Sequence, residues 1–117
     1  MGRDAASHIV GAWQNQLGSR VELITQKTGE LTGTFVPAVG APIGPHLLVG
    51  FYDDSPADGS CTLGFVVRWP EEHSVSAWSG RYESGRDVIV ATWLLSAAIP
   101  QDAWRATSIG YDEFRRL

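Results

Sequence analysis

Short runs in which apolar and polar residues alternate follow one another along the chain. In residues 62–69, one face of an extended strand would carry Leu63, Phe65, Val67 and Trp69, and the other Thr62, Gly64 and Arg68. Alternation with a period of two is typical of a β-strand that is buried on one side. Segments of this kind, rich in Val, Thr, Ile, Trp and Tyr, predict eight strands: residues 9–15, 20–26, 30–37, 46–53, 62–69, 74–83, 87–97 and 105–114.

Short polar connections separate these segments. Residues 27–30 place Gly29 where a tight hairpin needs a positive φ, and residues 53–59 form a longer polar turn. Consecutive hairpins imply an up-and-down meander, and closure into a barrel removes its two exposed edges. The pattern therefore predicts an all-β fold, an eight-stranded antiparallel up-and-down β-barrel. We expect residues 9–117 to form one domain and residues 1–8 a flexible N-terminal tail.

Length and charge narrow the function classes. A chain of 117 residues has room for one domain. The net charge of -4 and the lack of a long run of Lys or Arg argue against nucleic acid as a partner, and no apolar run predicts a membrane span. Cys61 is the one cysteine, so it excludes an intrachain disulfide and leaves a free thiol or a cross-subunit bridge.

Five tryptophans in so short a chain suggest an aromatic binding site. The alternation puts Ser74 and Ser76 on the same face as Trp78, and Trp93 on the same face as Leu95. A buried hydroxyl without a partner costs about 1 to 3 kcal/mol, and a ligand would supply that partner. Neighbouring backbone or water is the alternative partner for each serine.

Several motifs carry a resemblance to a known family. Residues 11–19 read Gly-Ala-Trp-Gln-Asn-Gln-Leu-Gly-Ser, and shorter motifs follow at residues 31–34, 38–40, 63–65, 78–82, 92–95 and 110–112. Over about residues 9–116 the chain resembles the avidin and streptavidin family, with bacterial streptavidin-like members more similar than egg avidin. The resemblance implies an eight-stranded barrel, a secreted or periplasmic location, and non-enzymatic binding of biotin without any other cofactor.

The resemblance also assigns the polar end of the biotin site. Asn15 and Ser19 match donors to the ureido oxygen, and Asp112 matches the carboxylate that accepts from the ureido N–H groups. Phe35 stands where the family has a tyrosine, and Pro37 where it has serine or threonine. Each lost hydrogen bond costs about one to two decades of affinity, so we expect binding tighter than about micromolar but weaker than the best members. A pocket that has moved to another small molecule is the alternative.

The rest of the implied site surrounds the rings and the tail of biotin. An apolar cage is formed by Trp69, Trp78, Trp93 and Leu95. Ser76 is placed to contact the sulfur, and Ser74 matches a residue that bonds the valerate carboxylate. A lid over the tail is implied at residues 39–45, including Val39, Gly40 and Ala41.

Trp104 matches a tryptophan that reaches across the mouth of the pocket of a neighbouring subunit, and the alternative is a loop anchor buried within its own chain. The resemblance therefore implies a homo-oligomer, with a tetramer favoured and a dimer as the alternative. Apolar residues expected on the outer face fit either a contact between barrels or, for some of them, packing within one chain: Val66, Val88, Val90 and Leu94.

Two other function classes fit the residues less well. A hydrolase is disfavoured because His73 and Ser74 are neighbours on a strand and point to opposite faces, and because no Gly-x-Ser-x-Gly elbow occurs. His8, His46, His73 and Cys61 lack metal-ligand spacing, and each histidine is expected at the surface. A module that binds sugars, peptides or a protein would share the aromatic cage but not the set of Asn15, Ser19 and Asp112, which suits a cyclic urea.

Overall fold

Eight antiparallel strands close into a barrel in sequence order. The computed structural model describes residues 8–38, 44–53, 59–98 and 107–117. The strands are β1 (Gly11–Gln14), β2 (Arg20–Thr25), β3 (Glu30–Val36), β4 (His46–Asp53), β5 (Cys61–Trp69), β6 (Ser74–Glu83), β7 (Val88–Ala97) and β8 (Thr107–Arg116). One turn of 3-10 helix, Pro70–Glu72, joins β5 to β6. The predicted up-and-down barrel is confirmed.

The first and last strands differ from their predicted bounds. β1 ends at Gln14, and the next residue, Asn15, forms a turn in which its side chain accepts a hydrogen bond from the Ser19 N–H. β8 continues to Arg116 because Arg115 and Arg116 pair with β1 and so close the barrel. Charged residues with distant partners carry no local strand signal, so the prediction ended too early. No helix in the described ranges is long and apolar enough to cross a membrane.

Alternation along β5 separates the core from the surface as predicted. Leu63, Phe65 and Val67 are buried, whereas Thr62 and Arg68 are exposed. The same alternation in β6 buries Ser74, Ser76 and Trp78. The inward face of the sheet therefore supplies the core, and toward one end of the barrel it supplies a cavity.

Two glycines make the tight geometry feasible. Gly29 has φ of 97°, which confirms the predicted hairpin turn between β2 and β3. Gly50 lies where β4 crosses very close to β5, and a Cβ atom there would be 1.8 Å from the carbonyl oxygen of Gly64. A side chain at this position would force the two strands apart.

Arg116 stabilises the end of the barrel opposite the cavity through several contacts. Its guanidinium lies 4.2 Å from the centre of the Trp13 ring, and it donates to the Asp87 carboxylate at 3.0 and 3.1 Å and to the carbonyl of His8. This hydrogen-bonded cation holds the pKa of Asp87 below its usual range. The Trp13 indole in turn donates to the carbonyl of Ile9 at 2.9 Å. Apart from His8, the predicted tail lies outside the described residues.

The outer face corrects one expectation. Val66 and Leu94 are exposed, as predicted, but Val88 and Val90 are only 1% and 5% exposed. The cross-strand register places charged residues of β6 and β8 on either side of these two valines. Ion pairs hold those flanking side chains over the valines: Arg81, Glu83, Glu113 and Arg115, with Arg86 beside them.

Cys61 faces the core of the barrel and is 1% exposed. A disulfide to another subunit would require its sulfur at the surface. The buried position disfavours the cross-subunit bridge of the two alternatives.

Candidate ligand-binding site

A cavity of about 350 Å³ opens at the end of the barrel where β1, β3, β5 and β7 finish. Its volume lies within the range of small-molecule pockets, roughly 300 to 1,000 Å³. Ten residues assigned to the site by resemblance line it: Asn15, Ser19, Phe35, Pro37, Trp69, Ser76, Trp78, Trp93, Leu95 and Asp112. Leu17 and Glu72 also line it and were not predicted.

Asn15 presents its amide nitrogen to the cavity. Its Oδ1 accepts hydrogen bonds from the backbone N–H groups of Leu17 at 3.0 Å and Ser19 at 2.9 Å. Because both of those groups are donors, the carbonyl side of the amide is fixed in the turn. The Nδ2 hydrogens are therefore left for a ligand.

The Ser19 hydroxyl is also held by a backbone N–H group, which leaves its proton for a ligand. Its Oγ accepts from the backbone N–H of Ala38 at 3.1 Å, and the residue is 8% exposed. A hydroxyl that already accepts still has one proton to donate. Ser19 and Asn15 thus contribute two donors to one cavity.

Asp112 supplies the acceptor and is 3% exposed. Its Oδ2 accepts from the Trp78 indole at 2.9 Å, and its Oδ1 accepts from Gln16 Nε2 at 3.1 Å. Each carboxylate oxygen can accept more than one hydrogen bond, so acceptor capacity remains for a ligand N–H. The two protein donors fix the orientation of the carboxylate.

Gln16 is a supporting residue that the sequence reasoning missed. Besides Asp112, it donates to the carbonyl of Tyr111 at 2.8 Å and accepts from the backbone N–H of Glu113 at 3.0 Å. These bonds join the turn after β1 to the middle of β8. The only local signal was the position of Gln16 inside the motif at residues 11–19.

The aromatic walls pack against one another. The Phe35 ring lies 5.0 Å from that of Trp78 and 5.6 Å from that of Trp69, and Phe65 stacks on Trp78 at 4.9 Å. The Trp69 indole donates to Ser76 Oγ at 2.9 Å. Rings held by neighbours in this way form a preformed wall that loses little entropy when a ligand enters.

Gly110 makes room for another wall of the cavity. A Cβ atom at this position would lie 2.1 Å from Cζ2 of Trp93. The indole therefore lies across the backbone of β8, and only glycine permits this approach. Gly110 therefore contributes to the site by leaving space for the Trp93 indole.

Phe35 and Pro37 leave part of the cavity without polar groups. The phenyl ring has no hydroxyl, and proline has no backbone N–H. The polar set near them consists of the Asn15 amide, the Ser19 hydroxyl and the Asp112 carboxylate. This set offers two kinds of donor and one acceptor inside an aromatic enclosure.

Ser74 lies outside the cavity lining. It pairs with Trp69 across β5 and β6, and its Oγ is buried without a hydrogen bond among the described residues. His46 is similar, since its ring packs 4.8 Å from that of Trp69 and its Nε2 is buried without such a partner. His46 as a whole is half-buried, so the expected surface position is met only in part. It occupies an inward-facing position of β4.

Other expected residues fall elsewhere. Val39, Gly40, Ala41 and Trp104 lie outside the described residues. His73 is exposed with φ of 52°, while the adjacent Ser74 is buried, so the two do not form a nucleophile and base pair. In the part of the chain that the structure describes, no cluster of His, Cys, Asp or Glu is arranged to hold a metal ion.

Comparison with known proteins agrees with the motifs. The model of the Avidin family matches residues 3–117. Avidin of Gallus gallus is 31% identical over 93% of this chain and 78% of its own length. Avidin-related protein 7 of Gallus gallus is 33% identical over 92% of this chain and 77% of its own length. With a family match over the whole barrel and relatives at this identity, the chain belongs to the avidin family.

Proposed function

We propose that the protein binds biotin in the cavity and catalyses no reaction. The observation that carries the proposal is the convergence of the Asn15 amide, the Ser19 hydroxyl and the Asp112 carboxylate at one end of an aromatic enclosure. A cyclic urea needs donors for its carbonyl oxygen and an acceptor for its N–H groups. The apolar walls suit the fused rings beyond the urea. Membership of the avidin family supports the same ligand.

Titration calorimetry with biotin tests this function. We expect one site per chain and a dissociation constant below about 1 µM, with tryptophan fluorescence changing in parallel. The affinity remains below that of the tightest known complexes, because Phe35 and Pro37 each remove a hydrogen bond. Absence of binding at about 1 mM biotin would contradict the proposal.

A second candidate is another small molecule with a less polar head. Phe35 and Pro37 support it, because they make the region beside Asn15 and Ser19 more apolar. Such a ligand would keep the aromatic enclosure and need fewer hydrogen bonds. Displacement of a bound dye by biotin separates the two candidates, since only a biotin site is emptied by it.

Phe35→Tyr is expected to tighten biotin binding by about tenfold, because it returns a hydroxyl donor to the ureido end. Competition with a biotin analogue of known affinity measures the change. Phe51→Tyr is the matched control, since Phe51 is 67% exposed on the outer face and gains the same hydroxyl away from the cavity. Equal affinities for all three proteins would show that no donor is missing at residue 35.

We also propose that the barrels associate, with a homotetramer favoured and a dimer as the alternative. An outward-facing apolar row crosses five neighbouring strands: Val49, Val66, Ala77, Leu94 and Ile109. Four of its members are at least 45% exposed, a large apolar surface for a soluble monomer. Trp104 of one subunit would cover the cavity of the next, as the family resemblance implies.

Leu94→Glu is expected to shift the protein toward smaller species in sedimentation velocity. Leu94 is 48% exposed near the centre of the row, so the added charge would be desolvated in a contact between barrels. Thr92→Glu is the control, because it introduces the same charge two positions earlier on the same face of β7. Identical sedimentation of wild type and Leu94→Glu would place the contact elsewhere.

A secreted or periplasmic location completes the proposal. It rests on family membership. Fractionation of the source cells with an antibody against the protein tests it, and recovery with the cytoplasm would contradict it.

A further inference from the structure

The described residues around the cavity carry two carboxylates and no basic side chain. Asp112 lies at the polar end, and Glu72 lies in the turn that follows β5. Neither Lys, Arg nor His is among the described lining residues. A carboxylate that entered this cavity would meet charge of its own sign, and no described lining residue supplies a compensating cation.

The position of Glu72 is determined by a short, well-defined turn. Pro70 begins the 3-10 helix, and His73 ends it in the left-handed conformation, with its N–H donating to the Pro70 carbonyl at 3.3 Å. Glu72 is exposed, and within the described ranges it forms no ion pair or hydrogen bond. Its charge therefore lies at the cavity without an ion-pair partner among the residues that the structure describes.

The nearby groups able to attract a carboxylate are turned away or covered. Arg68 points to the outer face of β5 and is exposed there. Ser74 Oγ and His46 Nε2 are both buried and expose almost no surface. The serine expected to hold the tail of biotin is thus inaccessible in this arrangement, while an acidic side chain is accessible.

We infer that the cavity discriminates by the charge of the ligand tail, and that Glu72 is the residue responsible. The inference rests on the proposed biotin function. The class of ligand favoured is biotin whose carboxyl group is joined in an amide or ester, as in a conjugate with a lysine side chain. A free carboxylate at the same place is repelled by Glu72.

Four ligands with the same ring system test this inference: biotin, biotin methyl ester, biotinamide and the amide of biotin with ethylenediamine. We expect wild type to bind the neutral ester and amide about tenfold more tightly than biotin, and the cationic amine at least as tightly as the ester. Because Glu72 is exposed, the difference should shrink as NaCl rises from about 0.05 to 0.5 M.

Glu72→Gln is expected to bring biotin and its methyl ester to within about twofold of each other. Glu71→Gln is the matched control, because the substitution removes the same charge. Glu71 is exposed, like Glu72, but does not line the cavity. The inference is overturned if wild type binds biotin as tightly as the ester, or if both variants change the ratio equally. Equal binding of all four ligands overturns this inference alone, whereas no binding of any of them overturns the proposed function as well.

Discussion

Replacing Asp112 with Asn is expected to weaken biotin binding by about 100-fold or more. The carboxylate already accepts from the Trp78 indole and from Gln16, and biotin would add an N–H donor to the same group. The Asn side chain has one accepting oxygen where the carboxylate has two. Its NH₂ group would face one of the donors that the carboxylate now accepts from. At least one buried donor is then left without a partner, in the free or the bound protein.

Calorimetry and competition titration of Asp112→Asn measure this loss. Glu113→Gln is the control, because it removes a charge from the next residue of β8, on the outer face. Thermal melting of both variants without ligand separates a binding defect from a folding defect. A change of less than about threefold in affinity would exclude Asp112 as the ureido acceptor.

Replacing Gly50 with Ala is expected to lower the free energy of unfolding by about 3 kcal/mol, or the melting temperature by roughly 12 °C. The new Cβ would lie 1.8 Å from the Gly64 carbonyl oxygen and 2.6 Å from the Phe65 Cα. Both atoms belong to the backbone of β5, so no side-chain rotation relieves the overlap. The strands must separate, which weakens the ladder between them.

Circular dichroism during heating compares this variant with Gly85→Ala. Gly85 lies in the turn between β6 and β7, and a Cβ there meets no atom within 4 Å. The control therefore adds the same methyl group at an open position. Melting of the two variants within about 2 °C of each other would show that β4 and β5 tolerate a side chain between them.

The parts of the structure that could be predicted rest on local patterns. Alternation along β5 and β6 was sufficient to place Trp69, Ser76 and Trp78 on the inner face. The face on which a strand residue lies follows from the two-residue period alone, without reference to distant contacts. The hairpin at Gly29 was equally predictable, because its φ depends on the turn alone.

The features that escaped prediction depend on residues far apart in the chain. Val88 and Val90 lie on the outer face, yet their burial follows from charged side chains on two other strands. Gln16 reaches Asp112 only because the barrel closes β1 against β8. Glu72 enters the cavity lining through the path of a turn, for which its own sequence gives no periodic signal.

The contact between β1 and β8 also bears on how the barrel forms. Among the described residues, these strands pair at Trp13 and Gln14 with one further backbone bond from Leu117 to Ala12, whereas β6 and β7 pair along their whole length. The seam joins opposite ends of the chain, so its closure carries the largest loop entropy and is expected late in folding. The stacking of Arg116 on Trp13 reinforces this seam. Transient opening of the native barrel should accordingly begin there, with the amide hydrogens of β1 exchanging before those of β6.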